Sequence, residues 1–303
     1  MRIGIFGGEV AGQGGIGEVV ESARRAADQR FATYWMPQIF GLDALTALAV
    51  VGREVPGIEL GTAVVPTYPR HPMMLAGQAL TTQAISGGRL ALGIGLSHQL
   101  VIEGMFGRSF EKPVRHMREY LSVLMALVHD GTVSFQGETL SANGTLNIAG
   151  ATPFPVLIAA LGPKMLELAG TTAAGTITWM TGPGTLEAHT VPTITKAAEQ
   201  AGRPAPRLCV GLPVCVTDDP DGARERAGRV FAMYDSLPSY KAMLDREGVA
   251  GPADVAIVGD EATVTAAVRR LADVGTTDFA AVEYGSVSKG DRERTRELLR
   301  SLL

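Results

Sequence analysis

The chain has 303 residues, 46% of them hydrophobic, with 37 glycines and a formal net charge of −4. That length buries one large core or two small ones, and mild acidity without a clustered basic face argues against nucleic acid as the main partner. No apolar run reaches the roughly 20 residues that cross a bilayer, and MRIGIF enters a strand-like pattern without a signal-peptide segment, so a soluble cytoplasmic protein without a membrane partner is expected.

Short apolar runs alternate with amphipathic stretches from one end to the other. The first half reads as strand Arg2–Phe6, helix Gly15–Gln29, strand Ala32–Met36, helix Asp43–Arg53, strand Ile58–Val65, helix Pro72–Ile85, strand Arg89–Gly95 and helix Pro113–His129. A hairpin over Thr132–Leu140, turning at Gln136-Gly137, interrupts the alternation. It resumes with strand Val156–Ala160, helix Pro163–Ala173, strand Thr176–Met180, helix Gly184–Ala201, strand Arg207–Val216 and helix Pro220–Tyr234. After a Pro- and Gly-punctuated excursion, Ser236–Ala253, come helix Glu261–Val274, strand Thr277–Glu283 and helix Arg292–Leu303. Eight strands, each followed by a helix, predict an α/β fold of the (β/α)8 TIM-barrel type. A doubly wound open sheet uses the same alternation and is the second choice. No linker divides the chain, so a single domain over 1–303 is expected.

Cys209 and Cys215 fall in one predicted strand. Six positions at about 3.3 Å separate them by roughly 20 Å, too far for a disulfide, so both read as buried thiols. The five histidines are scattered and fit no metal-binding spacing, so no metal is expected.

Barrel enzymes carry their chemistry at the C-terminal ends of the strands. Here those ends read Gly7-Gly8-Glu9, Trp35 to Gln38, Ala63 to Thr67, Gly95 to His98, Ala160 to Pro163, Trp179 to Pro183 and Glu283-Tyr284. Such a rim, apolar and aromatic with few polar groups, suits a flat heterocycle. Gly162-Pro163 and Gly182-Pro183 each open a helix, whose free N–H groups favour an anion. With Lys164 beside the first, the two form a candidate phosphate cradle, or two ordinary helix starts. His98 is a candidate ring partner or proton donor, or an exposed loop histidine. Glu9 and Glu283 are candidate acids; Arg70 and His71 bind an acidic group or cap their loop.

The stretch GTAVVPTYPRHPMMLAGQALTTQAISGGRLALGIGLSH resembles the third and fourth units of the luciferase-like oxidoreductases, in particular the actinobacterial branch that uses the deazaflavin coenzyme F420. PVLIAALGPKMLELAG, GTITWMTGP and IVGDEATVTAAVRRLADVGTTDF extend the resemblance over nearly the whole chain. It implies a homodimeric barrel with the cofactor ring across the rim and a non-proline cis peptide at Ala63–Val64, behind that ring. By the same match Gly95, Leu96, Ser97 and His98 lie beside the ring, and Gln38, at the end of strand two, is a further candidate cofactor contact. Ala160, Leu161, Gly162, Lys164, Thr178, Trp179 and Met180 lie toward the phosphate. His98 and Glu9 are the expected catalytic pair. The chain departs from relatives acting on sugar phosphates or C1 carriers, which have an acidic residue near His98 and an Asp-His pair at Pro37-Gln38. The implied activity is hydride transfer between F420 and a small organic substrate. The rivals are an FMN-dependent monooxygenase and a flavin- or deazaflavin-binding protein without turnover. A short stiff loop after strand three and the lack of a long lid after strand seven favour hydride transfer.

Overall fold

The computed structural model describes residues 1–8, 14–284 and 290–303. Its strands are β1 (Arg2–Phe6), β2 (Thr33–Met36), β3 (Glu59–Thr62), β4 (Val65–Pro66), β5 (Leu90–Gly95), β6 (Thr132–Gln136), β7 (Ser141–Thr145), β8 (Val156–Ala159), β9 (Gly175–Trp179), β10 (Arg207–Val216), β11 (Ile257–Gly259) and β12 (Asp278–Glu283). Parallel pairing runs β10-β12-β1-β2-β3-β5-β8-β9, and β9 pairs again with β10. The ring is closed, which rules out the open doubly wound sheet. Eight strands with helices outside make a (β/α)8 barrel, as the alternation predicts.

The barrel is filled from its strands' inward side chains. Phe6, Trp35, Ala91, Leu157, Ile177, Cys209, Ala280 and Val282 form one buried cluster. Trp35 is large enough to demand glycine opposite it. A Cβ on Gly61 would stand 2.2 Å from its ring, and one on Gly4 would stand 2.9 Å from its Nε1. Below this layer Arg2, Thr33, Glu59, Arg207 and Asp278, each the first residue of its strand, tie the N-terminal end together. Arg207 donates to Glu59 at 2.6 Å and to Asp278 at 2.7 Å, and Arg2 to Glu59 at 2.8 Å. These charges are paired on several sides, which offsets much of the cost of removing them from water. Both cysteines are buried free thiols.

Several elements differ from their predicted bounds. The hairpin is longer than expected: β6 pairs antiparallel with β7 and the turn takes residues 137–140. Glu119 organises that turn, accepting from the Glu138 and Thr139 amides at 3.0 and 2.7 Å and from the Thr139 hydroxyl at 2.6 Å. The excursion after β10 contains helix Pro238–Glu247, which begins on Pro238 and is capped by Gly248 at φ 78°. A further short helix, Gln99–Gly104, follows β5. Among the described residues no helix is long and apolar enough to cross a membrane.

Candidate functional site

The third strand is broken in the middle, and the break shapes the rim. β3 pairs with β5 at Gly61 and Ala91, and pairing resumes through β4 at Val65 and Ile94. Residues 62–64 bulge between, and the Ala63–Val64 peptide is cis, as the resemblance implies. The Thr62 hydroxyl restores the lost ladder: it donates to the Gly93 carbonyl and accepts from the Gly93 amide, both at 2.8 Å. Val64 leans over the neighbouring strand. A Cβ on Gly95 would meet its Cγ2 at 2.7 Å, and one on Gly93 would meet its Cγ1 at 3.1 Å. The glycines of LALGIG are therefore the floor under the bulge.

Two non-glycine residues at strand ends adopt the left-handed conformation. Ser97, past β5, has φ 61°, and Met180, past β9, has φ 51°. Each costs on the order of 1–2 kcal/mol against an ordinary backbone. Strain of this kind concentrates where a site fixes the chain's direction. At the end of β8 the carbonyl of Leu161 accepts from His189 Nε2 at 2.8 Å. His189 lies in the π-helical turn Leu186–Thr190, a departure from α geometry frequent near functional sites.

The two helix starts differ. Gly162 opens helix Pro163–Thr172 without a side-chain cap, and open space lies where its Cβ would be. At the second start, Glu247 accepts from the amides of Gly184 and Thr185 at 2.9 and 2.6 Å. A carboxylate of the chain itself thus holds the anion position, correcting the expectation of a cradle shared by both helices. The Thr178 hydroxyl, at the top of β9, is buried without a hydrogen-bond partner among the described residues. An uncapped helix start, an unused buried hydroxyl and an apolar rim fit a flat ring carrying a phosphate.

The aromatic side of the rim comes largely from residues 231–240, at the end of the helix after β10 and in the excursion that follows. Trp179 packs edge-on against Phe231 and Tyr234, with centroids 5.8 and 5.7 Å apart, and lies 6.0 Å from Phe6. Tyr240 stands 5.6 Å from His98. Residues after β10 therefore do cover the rim, which corrects the expectation of no lid there. Burial pushes the pKa of His98 down, so the free protein holds it neutral at pH 7, a hydrogen-bonding imidazole and a scarce acid. Leu96, two residues before it, is half-buried, as is Gln38 at the end of β2, which accepts from the Ala44 amide at 2.7 Å.

Glu283 is not a free acid. It is buried and forms a two-pronged ion pair with Arg296. Arg70 pairs with Asp43, and His71 caps helix Pro72–Ile85 through the Met73 amide; both serve the loop. Glu9 lies outside the described residues. Lys164 is exposed at the first helix start, and Ala160, at the end of β8, is fully buried.

One group escapes the sequence reading. His116, on helix Pro113–His129, lies 3.0 Å from the Thr67 hydroxyl through its Nε2 and stacks on Tyr68 at 3.9 Å and 7°. Phe110 also stacks on Tyr68, at 5.1 Å. The hydroxyls of Tyr68 and Tyr120 are buried without partners among the described residues. The spacing Lys112–His116–Tyr120 on one helix stripe is the signal that would have found it.

A profile of the luciferase-like monooxygenase family matches residues 1–278. The 5,10-methylenetetrahydromethanopterin reductase of Methanolobus tindarius is 28% identical over 256 residues, 84% of this chain and 78% of that one. The coenzyme F420-dependent tetrahydromethanopterin reductase from Methanopyrus kandleri superposes with a TM-score of 0.82 at 22% identity, over 99% of this chain and 97% of that one. The oxygenating constituent of 3,6-diketocamphane monooxygenase from Pseudomonas putida, solved with FMN, gives 0.77 at 16% identity, over 99% and 96%. At these identities the two structures share its fold. With the profile spanning most of its length, the chain belongs to the luciferase-like monooxygenase family.

Proposed function

We propose that this protein is an F420-dependent oxidoreductase that moves a hydride between the deazaflavin and a small organic substrate. The observation that carries the reading is the rim itself, where Val64 over Gly93 and Gly95 makes a narrow apolar bed closed by Trp179 and its aromatic neighbours. The reductase relatives, named for F420 or for a methanopterin substrate, support it.

When bound, the deazaflavin supplies the hydride-carrying carbon. The chain supplies placement. Val64 and Ala63 back the ring, and the Gly162 helix start with Thr178 and Lys164 receives the phosphodiester. Tyr240 and Trp179 exclude water from the substrate side. His98, neutral at pH 7, presents an N–H to a substrate oxygen or nitrogen and fixes its orientation.

A second reading, an FMN-dependent monooxygenase, gains from the covered rim, since the helix Pro238–Glu247 supplies the shield such chemistry needs. The experiment is anaerobic titration with F420 and with FMN, followed by substrate-panel turnover with and without air. Micromolar or tighter F420 binding with air-independent turnover is expected. Stoichiometric FMN with oxygen uptake identifies the monooxygenase, and tight binding without any turnover identifies a carrier.

A further inference from the structure

Outside the barrel, a groove of about 630 Å³ runs between helices Pro113–His129 and Pro163–Thr172. Its charged lining is Arg115, Arg118 and Lys164 against one acid, Glu167. Arg115 also pairs with Glu138 at 2.7 Å, and Lys112 holds the same carboxylate from its other side. Arg118 and Lys164 form no ion pair with any described residue, although both are exposed on helices where acidic partners are easily placed. Two cations facing one trough with no acidic partner of their own give it a positive field that attracts an anionic ligand.

The position of the groove decides what that is. Lys164 is the second residue of the helix that starts at Gly162, so the trough opens at the rim beside the proposed phosphodiester position. From there it runs outward to Thr171 and Thr172, whose hydroxyls add polar groups at its far end. Eight residues of helix at 1.5 Å give a length of about 12 Å. That takes about three acidic residues, at roughly 3.6 Å each when fully extended. Val114 and Leu168 give an apolar floor for the methylenes between the charges.

We propose that this groove is the subsite for the oligoglutamyl tail of the coenzyme, with Arg118 and Lys164 as its principal carboxylate partners and Arg115 as the third. The proposal rests on the deazaflavin reading above and adds to it the part of the cofactor that leaves the barrel. The subsite contributes affinity and cofactor selectivity. It lies away from the ring and leaves the chemistry alone.

The test is fluorescence titration of the wild-type protein and the double variant R115Q/R118E with three F420 species, carrying no glutamate, about two and about six. At low ionic strength the wild type is expected to bind the tailed species at least about tenfold more tightly than the tail-less one. That gap shrinks in about 0.5 M salt, where charges are screened within a few ångströms. In the variant the gap disappears while the tail-less species binds within about threefold of wild type. Both side chains are exposed, and unchanged thermal melting confirms a folded variant. Equal wild-type affinity for all three species overturns the groove and leaves the deazaflavin reading standing. A tail-length preference that survives in the variant also overturns it. Failure of all three species to bind is a different result, which overturns the deazaflavin reading and the subsite with it.

Discussion

Half-buried between Tyr68 and the Thr67 hydroxyl, His116 has a pKa pushed down to about 4 by burial, with nearby Glu119 opposing only part of the shift. A histidine depressed in the folded state is protonated more readily when unfolded. Its stabilising contribution is therefore complete above pH 6.5 and lost as pH falls from there toward 4. His98 shifts in the same direction through burial. Glu119 works in a lower window. Burial raises it, but hydrogen bonds from Thr139, Glu138 and Leu140 outweigh this and bring it to about 2, so its contribution fades only as pH falls from about 4.5 to 2. Urea unfolding at pH 7.0, 5.5 and 4.5 should show stability dropping across the histidine window, with a shallower drop in H116Q. An equal slope in H116Q contradicts the assignment. At Gly162 the backbone already has the extended conformation of a helix cap, φ −79°, with open space at Cβ. Gly162→Asp should therefore fold normally, with stability changed by a few tenths of a kcal/mol because Asp caps helices at least as well as Gly. The added carboxylate still repels a phosphate, so F420 affinity should fall about 100-fold, roughly 2.7 kcal/mol. Normal binding by a folded G162D places the phosphate elsewhere.

Helix Pro238–Glu247 shows how local signals divide between what sequence reveals and what it hides. Pro238 and Gly248 read as loop punctuation, yet they are the first residue and the left-handed cap of a helix. β7 was missed for a related reason: SANGT lacks β-branched alternation and becomes a strand only because β6 is there to pair with it. The barrel strands were legible because each is an apolar run bounded by turn residues, and Pro72–Ile85 and Pro113–His129 because proline marks their first positions. The rim bulge was legible only through family likeness. The fates of Glu247 and Glu283 were not legible at all, since each depends on a partner more than ten residues away. Glu247 also yields a test of the element that carries it. E247A removes two charge-assisted hydrogen bonds at the Gly184 and Thr185 amides and should cost about 1–2 kcal/mol by thermal or urea unfolding. With the phosphodiester proposed at Gly162, F420 affinity should stay within about threefold. A gain of tenfold or more would mean that Glu247 occupies the phosphate position.

On the proposed reading, the molecule separates a charge-locked end from its cofactor rim along the barrel axis. Charges at the N-terminal end lock strand starts together, with Arg207 bridging Glu59 and Asp278 and lying 5.4 Å over the Trp35 ring. Removing that arginine leaves Glu59 and Asp278 with only the exposed Arg2 as cationic partner, and Asp278 is almost fully buried. R207A should lose about 3–5 kcal/mol while cofactor affinity at the opposite end is unchanged under conditions where the protein stays folded. A combined loss of binding in the folded variant would show that the two ends are coupled. Trp179 reports on the rim, half-buried at the end of β9, whereas Trp35 is sealed inside the barrel. The most direct test is titration of Trp179 fluorescence with F420 and with FMN under argon, using W179F as the blank. Saturable quenching by F420 at micromolar or lower concentration, absent in W179F and much weaker with FMN, is the predicted result. Tight quenching by FMN with none by F420 contradicts the account.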